Sequence, residues 1–351
     1  MIEVHSPDYA PSMGVIQSRW SVAGEDVYCP AAAALGDRTV ALFIRGASGE
    51  LLFRECASES LGEIRSLGVP VARVEGSRVA LPVEWPIAAC STRDGVVHLL
   101  ARGAEGELVH GRLTGADWSG FEAIGIPLPE DHGAQYPMGL SGAPTACCRE
   151  PGLLDVFVVS GEGDLLQTRW DAEGFSACES LGGIGTPGRD APVFGAVSAF
   201  DTGAKGMGVV ARARSGDLVV KWWARNEWRP FVPLYSPDEV DPLDPALDLM
   251  RPLAGPPAAC GGGSTRADVF VRGPRGALFS AIWNGERWSQ LQSLGMPRAS
   301  PDAGPIPFTG GQVACAWSKY RVDVFACATD GRLYRASTMG DWSQAASRDA
   351  G

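Results

Sequence analysis

Four arginines occupy matching places along the chain, each ending an alternating apolar run just before a glycine turn: Arg45, Arg102, Arg212 and Arg272. A guanidinium offers five N–H donors in a rigid fork, a geometry that suits paired hydroxyls or a carboxylate. A second matching position carries Phe279 and Tyr334. An arginine fork beside an aromatic face could hold a sugar by hydrogen bonds to hydroxyls and by ring stacking. Arg272 with Phe279, and Tyr334 one unit later, form the best-preserved set. The bland alternative is that each arginine caps carbonyls or pairs with Glu50, Glu107 or Asp217.

A different chemistry would come from His132. With Asp131, Tyr136, Asp238 and Glu239 it forms the one candidate set for proton transfer. These residues lie in two segments of unique sequence, "IPLPEDHGAQYPMGLSGAP" and "PLYSPDEVDPLDPALDLMRPLAGPP". The acids at 238–248 do not follow the spacing of an EF-hand loop. No G-x-S-x-G, H-E-x-x-H or phosphate-loop motif is present. Neither a cofactor nor a metal is expected. His98 and His110 fall inside alternating runs and read as structural.

The matching places belong to a repeat. The stretch "DVFVRGPRGALFSAIWNGERWSQLQSLG" (268–295) reads as two hairpins, with Asn284-Gly285 predicting a type I′ turn. Its turn glycine, Gly276, has counterparts at Gly49, Gly106, Gly163, Gly216 and Gly331. A leucine follows two residues later in every copy: Leu51, Leu108, Leu165, Leu218, Leu278 and Leu333. Sixteen residues upstream stand Cys90, Cys147, Cys260 and Cys315 in short strands of small residues. Tryptophans recur downstream at Trp170, Trp223 and Trp283, then at Trp118, Trp228 and Trp288. Each unit thus supplies strands a to d, and the copies span about 29–68, 86–125, 143–182, 192–234, 256–295 and 310–346.

Four-stranded units repeated radially make an all-β, six-bladed β-propeller of antiparallel blades, in which each sheet buries its faces against its neighbours. A seven-bladed ring is the alternative. Residues 1–351 form a single propeller, with the N-terminal segment 13–28 closing the ring. The b–c turns and d–a connections share one face, called the top. The cysteines of strand a are expected as separate thiols near the axis, because innermost strands of facing sheets are too far apart for a disulfide. Trp283 and Trp288 fall at the opposite, outer edge and read as packing.

The totals narrow the partners. A net charge of −11 argues against nucleic acid and against anionic membranes. No apolar run is long enough for a transmembrane helix, so membrane insertion is not expected. Nine cysteines without metal-knuckle spacing, and no visible signal peptide, read as a reduced, cytoplasmic chain. The oligomeric state is not legible.

The unit at 268–295 resembles the repeat of bacterial propeller lectins typified by the Photorhabdus lectin, which bind fucose and related glycans. The shared features are the D-V-F-V-R-G strand, the glycine turn, the aromatic-bearing strand and the W-x-x-L-x-S-L-G ending. Family repeats carry Trp or Tyr after the anchor leucine, whereas four copies here carry aliphatics. The resemblance implies a propeller that binds a glycan or other small-molecule ligand at its top face. Two further readings stay open: an enzyme with one active site at the channel mouth, and a protein-interaction scaffold.

Overall fold

All six anchor glycines take a left-handed backbone, with φ between 78° and 92°. The amide of Gly276 bonds to Gly273 O (3.1 Å), and Gly49, Gly106, Gly163, Gly216 and Gly331 repeat that bond to the residue three earlier. Any residue with a Cβ would be strained there, which is why the column is invariant within the chain. The leucine that follows is at most 1% exposed in every copy. Turn geometry and apolar burial therefore set each unit together.

The computed structural model describes residues 21–25, 28–36, 39–57, 60–73, 80–125, 139–186, 189–191, 196–203, 206–213, 216–234, 253–263, 266–300, 302–318 and 321–339. β1 (Ser21–Glu25) precedes blade I, which comprises β2 (Tyr28–Gly36), β3 (Thr39–Arg45), β4 (Leu51–Ala57) and β5 (Arg65–Ser66). After β6 (Val71–Arg73), blade II comprises β7 (Ala80–Ser91), β8 (Val96–Gly103), β9 (Leu108–Thr114) and β10 (Asp117–Gly125). Blade III has β11 (Thr145–Glu150), β12 (Leu153–Val159) and β13 (Leu165–Asp171), edged by β14 (Gly174–Phe175) and β15 (Glu179–Ser180). A small hairpin of β16 (Ile184–Thr186) and β17 (Arg189–Ala191) follows.

Blade IV has β18 (Ser198–Gly203), β19 (Gly206–Arg212) and β20 (Leu218–Ala224), edged by β21 (Glu227–Trp228) and β22 (Val232–Pro233). Blade V comprises β23 (Ala254–Gly261), β24 (Ala267–Arg272), β25 (Leu278–Trp283) and β26 (Gln292–Gly295). Blade VI comprises β27 (Phe308–Ser318), β28 (Arg321–Ala328) and β29 (Arg332–Met339). Its outer strand is β1, which pairs antiparallel with β29.

The first strands of successive blades touch in order, β2, β7, β11, β18, β23 and β27, and β27 returns to β2. The ring closes at six blades, so the seven-bladed alternative is excluded. Among the described residues there is no single central core. One apolar cluster fills each of the six junctions between neighbouring blades. In strand β8, Leu99 and Ala101 face blade I while Leu100 faces blade III. Both faces of a blade are thus buried, as period-2 strands of apolar residues require.

Two local features depart from the simple repeat. β6 pairs with both β7 and β10, closing blade II on itself and setting Arg73 beside Glu122 in register. On the bottom face, Arg93 Nη2 reaches from the β7–β8 turn to Asp201 Oδ1 of blade IV (2.9 Å). Beside it Gly261 packs so closely that a Cβ would lie 1.4 Å from Asp201 O.

The expected type I′ turn at Asn284-Gly285 is not formed. Asn284 Oδ1 instead accepts from the amides of Glu286 and Arg287, both 3.0 Å, and only Gly285 takes a positive φ. This Asx capping makes a longer turn between the bridged Trp283 and Trp288. The two-residue form appears in blade IV, where Arg225 and Asn226 have φ of 55° and 63° between the paired Ala224 and Glu227.

Candidate functional site

Strand a and strand b set the first polar layer. Cys90, Cys147, Cys260 and Cys315 lie directly opposite His98, Asp155, Asp268 and Asp323. The eight described cysteines are free thiols, and burial pushes that of Cys56 up to about 11. Such thiols are poor nucleophiles and poor ligands. Among the described residues no group of three His, Cys, Asp or Glu could hold a metal ion.

The residues opposite the cysteines stand eight before each anchor glycine, and they meet the side chain four after it. The couples are His98 with His110, Asp155 with Gln167, and Asp323 with Arg335. In blade V, Arg266 instead grips Asp268 through two bonds of 2.6 and 2.8 Å. Blades I and IV carry Ala41 and Gly208 at this position and need no partner. The buried carboxylates of Asp155, Asp268 and Asp323 are thus each matched by guanidinium or amide donors.

How each junction is filled decides where a ligand has room. At blades III and IV, Trp228 Nε1 donates to Gln167 Oε1 (2.9 Å) and its ring meets Phe157 edge-on. At blades IV and V, Phe200, Trp222, Trp283 and Trp288 pack together in edge-on and tilted contacts, so the Trp283–Trp288 pair is packing. At blades VI and I, Trp317 lies under Arg321 and Arg335.

Blades II and III differ, because their polar couple is two imidazoles. His98 Nδ1 and His110 Nε2 lie 2.8 Å apart, and His98 Nε2 is 3.2 Å from Thr92 Oγ1. Thr92 donates its hydroxyl to Asp94 Oδ1 (2.7 Å), so its oxygen accepts from His98 Nε2–H. His98 Nδ1 must then accept from His110 Nε2–H, which leaves His110 Nδ1 as an acceptor. Burial lowers His98 to about 4 and His110 to about 3, so both are neutral at pH 7.

Around His110 the junction opens into a cleft of about 850 Å³ lined by Arg73, Arg112, Ser119, Glu122, Trp170 and Phe175. Phe175 meets His110 edge-on at 5.3 Å, and Trp170 meets His98 at 4.3 Å. Strands β9 and β10 present Arg112 and Glu122, both exposed, and β6 adds Arg73. Apolar ring surface, two cations, the carboxylates of Glu122 and Glu173 and a neutral imidazole acceptor thus converge.

Among the residues predicted for binding, the four arginines gather at the top of the channel. Arg102 and Arg212 line a second cavity, of about 380 Å³, with Glu84, Trp85, Ser141, Gly255 and Pro256. Arg102 pairs with Glu84. Arg212 Nη1 donates to Leu253 O (2.7 Å). The Arg45 guanidinium lies 5.9 Å from the Trp85 ring centre. Arg272 packs against Gly255.

Phe279 and Tyr334 do not join them. Phe279 is 1% exposed inside the junction of blades IV and V, and Tyr334 is 4% exposed in that of blades V and VI. Tyr334 is further tied down by its hydroxyl, which donates to Asp330 Oδ2 (2.6 Å). Neither ring can serve as a stacking platform, because both faces of these strands are buried. His132, Asp131, Tyr136, Asp238 and Glu239 lie outside the described residues.

The cleft between blades II and III went unread in the sequence, where His110 counted as structural and the c–d aromatics as packing. The signal that could have found it is the column eight before the anchor, which reads Ala, His, Asp, Gly, Asp, Asp around the ring.

No family model and no curated protein matches this chain. Solved structures do. A fucose-specific lectin from Aleuria aurantia superposes with a TM-score of 0.59 at 15% identity, over 90% of this chain and 96% of that one. AofleA from Arthrobotrys oligospora gives 0.57 at 13%, over 91% and 86%. The BP39L lectin from Burkholderia pseudomallei gives 0.54 at 20%, over 88% and 81%. One description of the Aleuria lectin names a six-bladed β-propeller fold, and that fold is what this chain shares with these lectins.

Proposed function

We propose that this propeller is a glycan-binding protein and that the cleft between blades II and III is its sugar site. The observation that carries the reading is the lining of that cleft: half-buried Trp170 and Phe175 beside Arg112, Arg73, Glu122 and the His110 acceptor. Sugars need an apolar surface for their C–H faces and, around it, donors and acceptors for their hydroxyls. Here the two kinds of surface meet at one site. The volume lies within the range of about 300–1,000 Å³ typical of small-molecule sites. The Aleuria neighbour is a fucose-specific lectin, which makes fucosides the first ligands to test. A reducing, cytoplasmic setting belongs to the same reading and is supported by the eight free thiols.

The test is a glycan array followed by calorimetry with the best sugar. Trp170→Ala and Arg112→Gln should each weaken binding at least tenfold without lowering the melting temperature enough to unfold the protein at the assay temperature. A blank array, or full affinity in both variants, would rule the site out.

A further inference from the structure

The channel mouth concentrates guanidinium groups, of which one makes an ion pair among the described residues; Glu50 and Glu107, in the neighbouring b–c turns, pair with none of them. On a chain of net charge −11, Arg45, Arg102, Arg212 and Arg272 gather at one end of the ring. One carboxylate, Glu84, is paired there, to Arg102. Arg212 spends a donor on the carbonyl of Leu253. Arg45 and Arg272 make no ion pair among the described residues.

The donors are also unfilled. Nε of Arg102 and Nε of Arg272 are buried without a hydrogen-bond partner. Burial, and then the neighbouring Arg212, hold the Arg272 guanidinium below its ordinary pKa. It lies beside Gly255, which has φ of +78° and lines the cavity. A Cβ on Gly255 would stand 3.4 Å from Arg272 Nη2. Holding like-charged groups together with donors unfilled is unfavourable, and a bound anion removes both costs.

The walls indicate which anion. Trp85, Pro86 and Pro256 give the cavity an apolar side, and Ser141 adds a hydroxyl. A guanidinium fork matches the two oxygens of a carboxylate. About 380 Å³ is too much room for a bare ion and falls in the small-molecule range. We propose that the mouth is a second binding site, separate from the cleft between blades II and III. It takes a sugar carrying a carboxylate, of the uronate or sialate type.

The experiment is calorimetry on the full chain with glucuronate, N-acetylneuraminate, glucose and inorganic phosphate. One of the acidic sugars should bind, with glucose at least tenfold weaker. Arg212→Gln, at the cavity wall, should remove most of the affinity, and Arg45→Gln, at an exposed position beside Trp85, should weaken it with the fold intact. Three results would overturn the proposal: no binding of either acidic sugar, equal binding of glucose, or phosphate matching the sugars. Unchanged affinity in both variants would overturn it as well. The cleft is scored on neutral fucosides and Trp170→Ala, so failure of either site leaves the other result standing.

Discussion

His98 and His110 lie edge to edge and nearly coplanar between blades II and III, joined by their ring nitrogens, with ring centres 5.1 Å apart and planes within 9°. The pair is held neutral by burial, its tautomers fixed by the chain of donors that runs through Thr92 to Asp94. Its pKa values set a pH dependence with a definite sign. Folded-state values near 4 and 3 lie below the ordinary 6.5, so the unfolded chain binds protons first as pH falls.

Stability from this pair is therefore complete above about pH 6.5 and is lost as pH falls towards 4, by a few kcal/mol on the order of one per pKa unit. Urea unfolding from pH 7.5 to 4 should show that slope, and His110→Gln should flatten it. Equal slopes in the two proteins would remove the histidines from the account.

Asp323 carries a comparable load in blade VI. It is fully buried and accepts from Arg335 Nε at 2.8 Å, while Arg335 Nη1 donates onward to Ala57 O of blade I. Asp323→Ala would strand a buried guanidinium, at a cost of roughly 3–5 kcal/mol. Chemical denaturation reads the change. A loss under about 1 kcal/mol would show that water replaces the carboxylate.

Gly261 tests the closeness of the inner strands. A methyl group there has no room beside Asp201 O, so Gly261→Ala must push blades IV and V apart. A destabilisation of about 1–3 kcal/mol or more is expected, read as a lower melting temperature. Gly36 has nothing within 4 Å of its added Cβ, and Gly36→Ala is the matched control, expected near neutral.

Deleting residues 1–25 removes β1 and bares the edge of β29. Unpaired edges recruit other chains, so the shortened protein should melt lower and associate in a concentration-dependent way by light scattering. A monomer of unchanged stability would mean that β1 adds nothing to blade VI.

The repeat was legible because its demands are local. A left-handed turn requires glycine, a buried turn-end requires leucine, and both recur in every unit. The arginine column was legible for the same reason, since the end of strand b always returns to the top of the channel. Phe279 and Tyr334 were misread because alternation normally gives one wet face, and in a blade both faces are covered. The cleft depends on residues about sixty positions apart in the chain. Whether Trp228 fills a junction through Gln167, or Trp170 leaves one open beside two histidines, is decided across blades.

The pairing of β1 with β29 also bears on how the chain is made. Among the described strands, the one that completes blade VI is made before all the others, and its partner β29 after those of the other five blades. Until then blades I and VI have no common junction, and Val40, Leu42, Ile44 and Phe325, all buried in the finished ring, have nothing to cover them. Assembly of the last junction thus waits until β29 is made and depends on β1 and β29, far apart in the chain, finding each other.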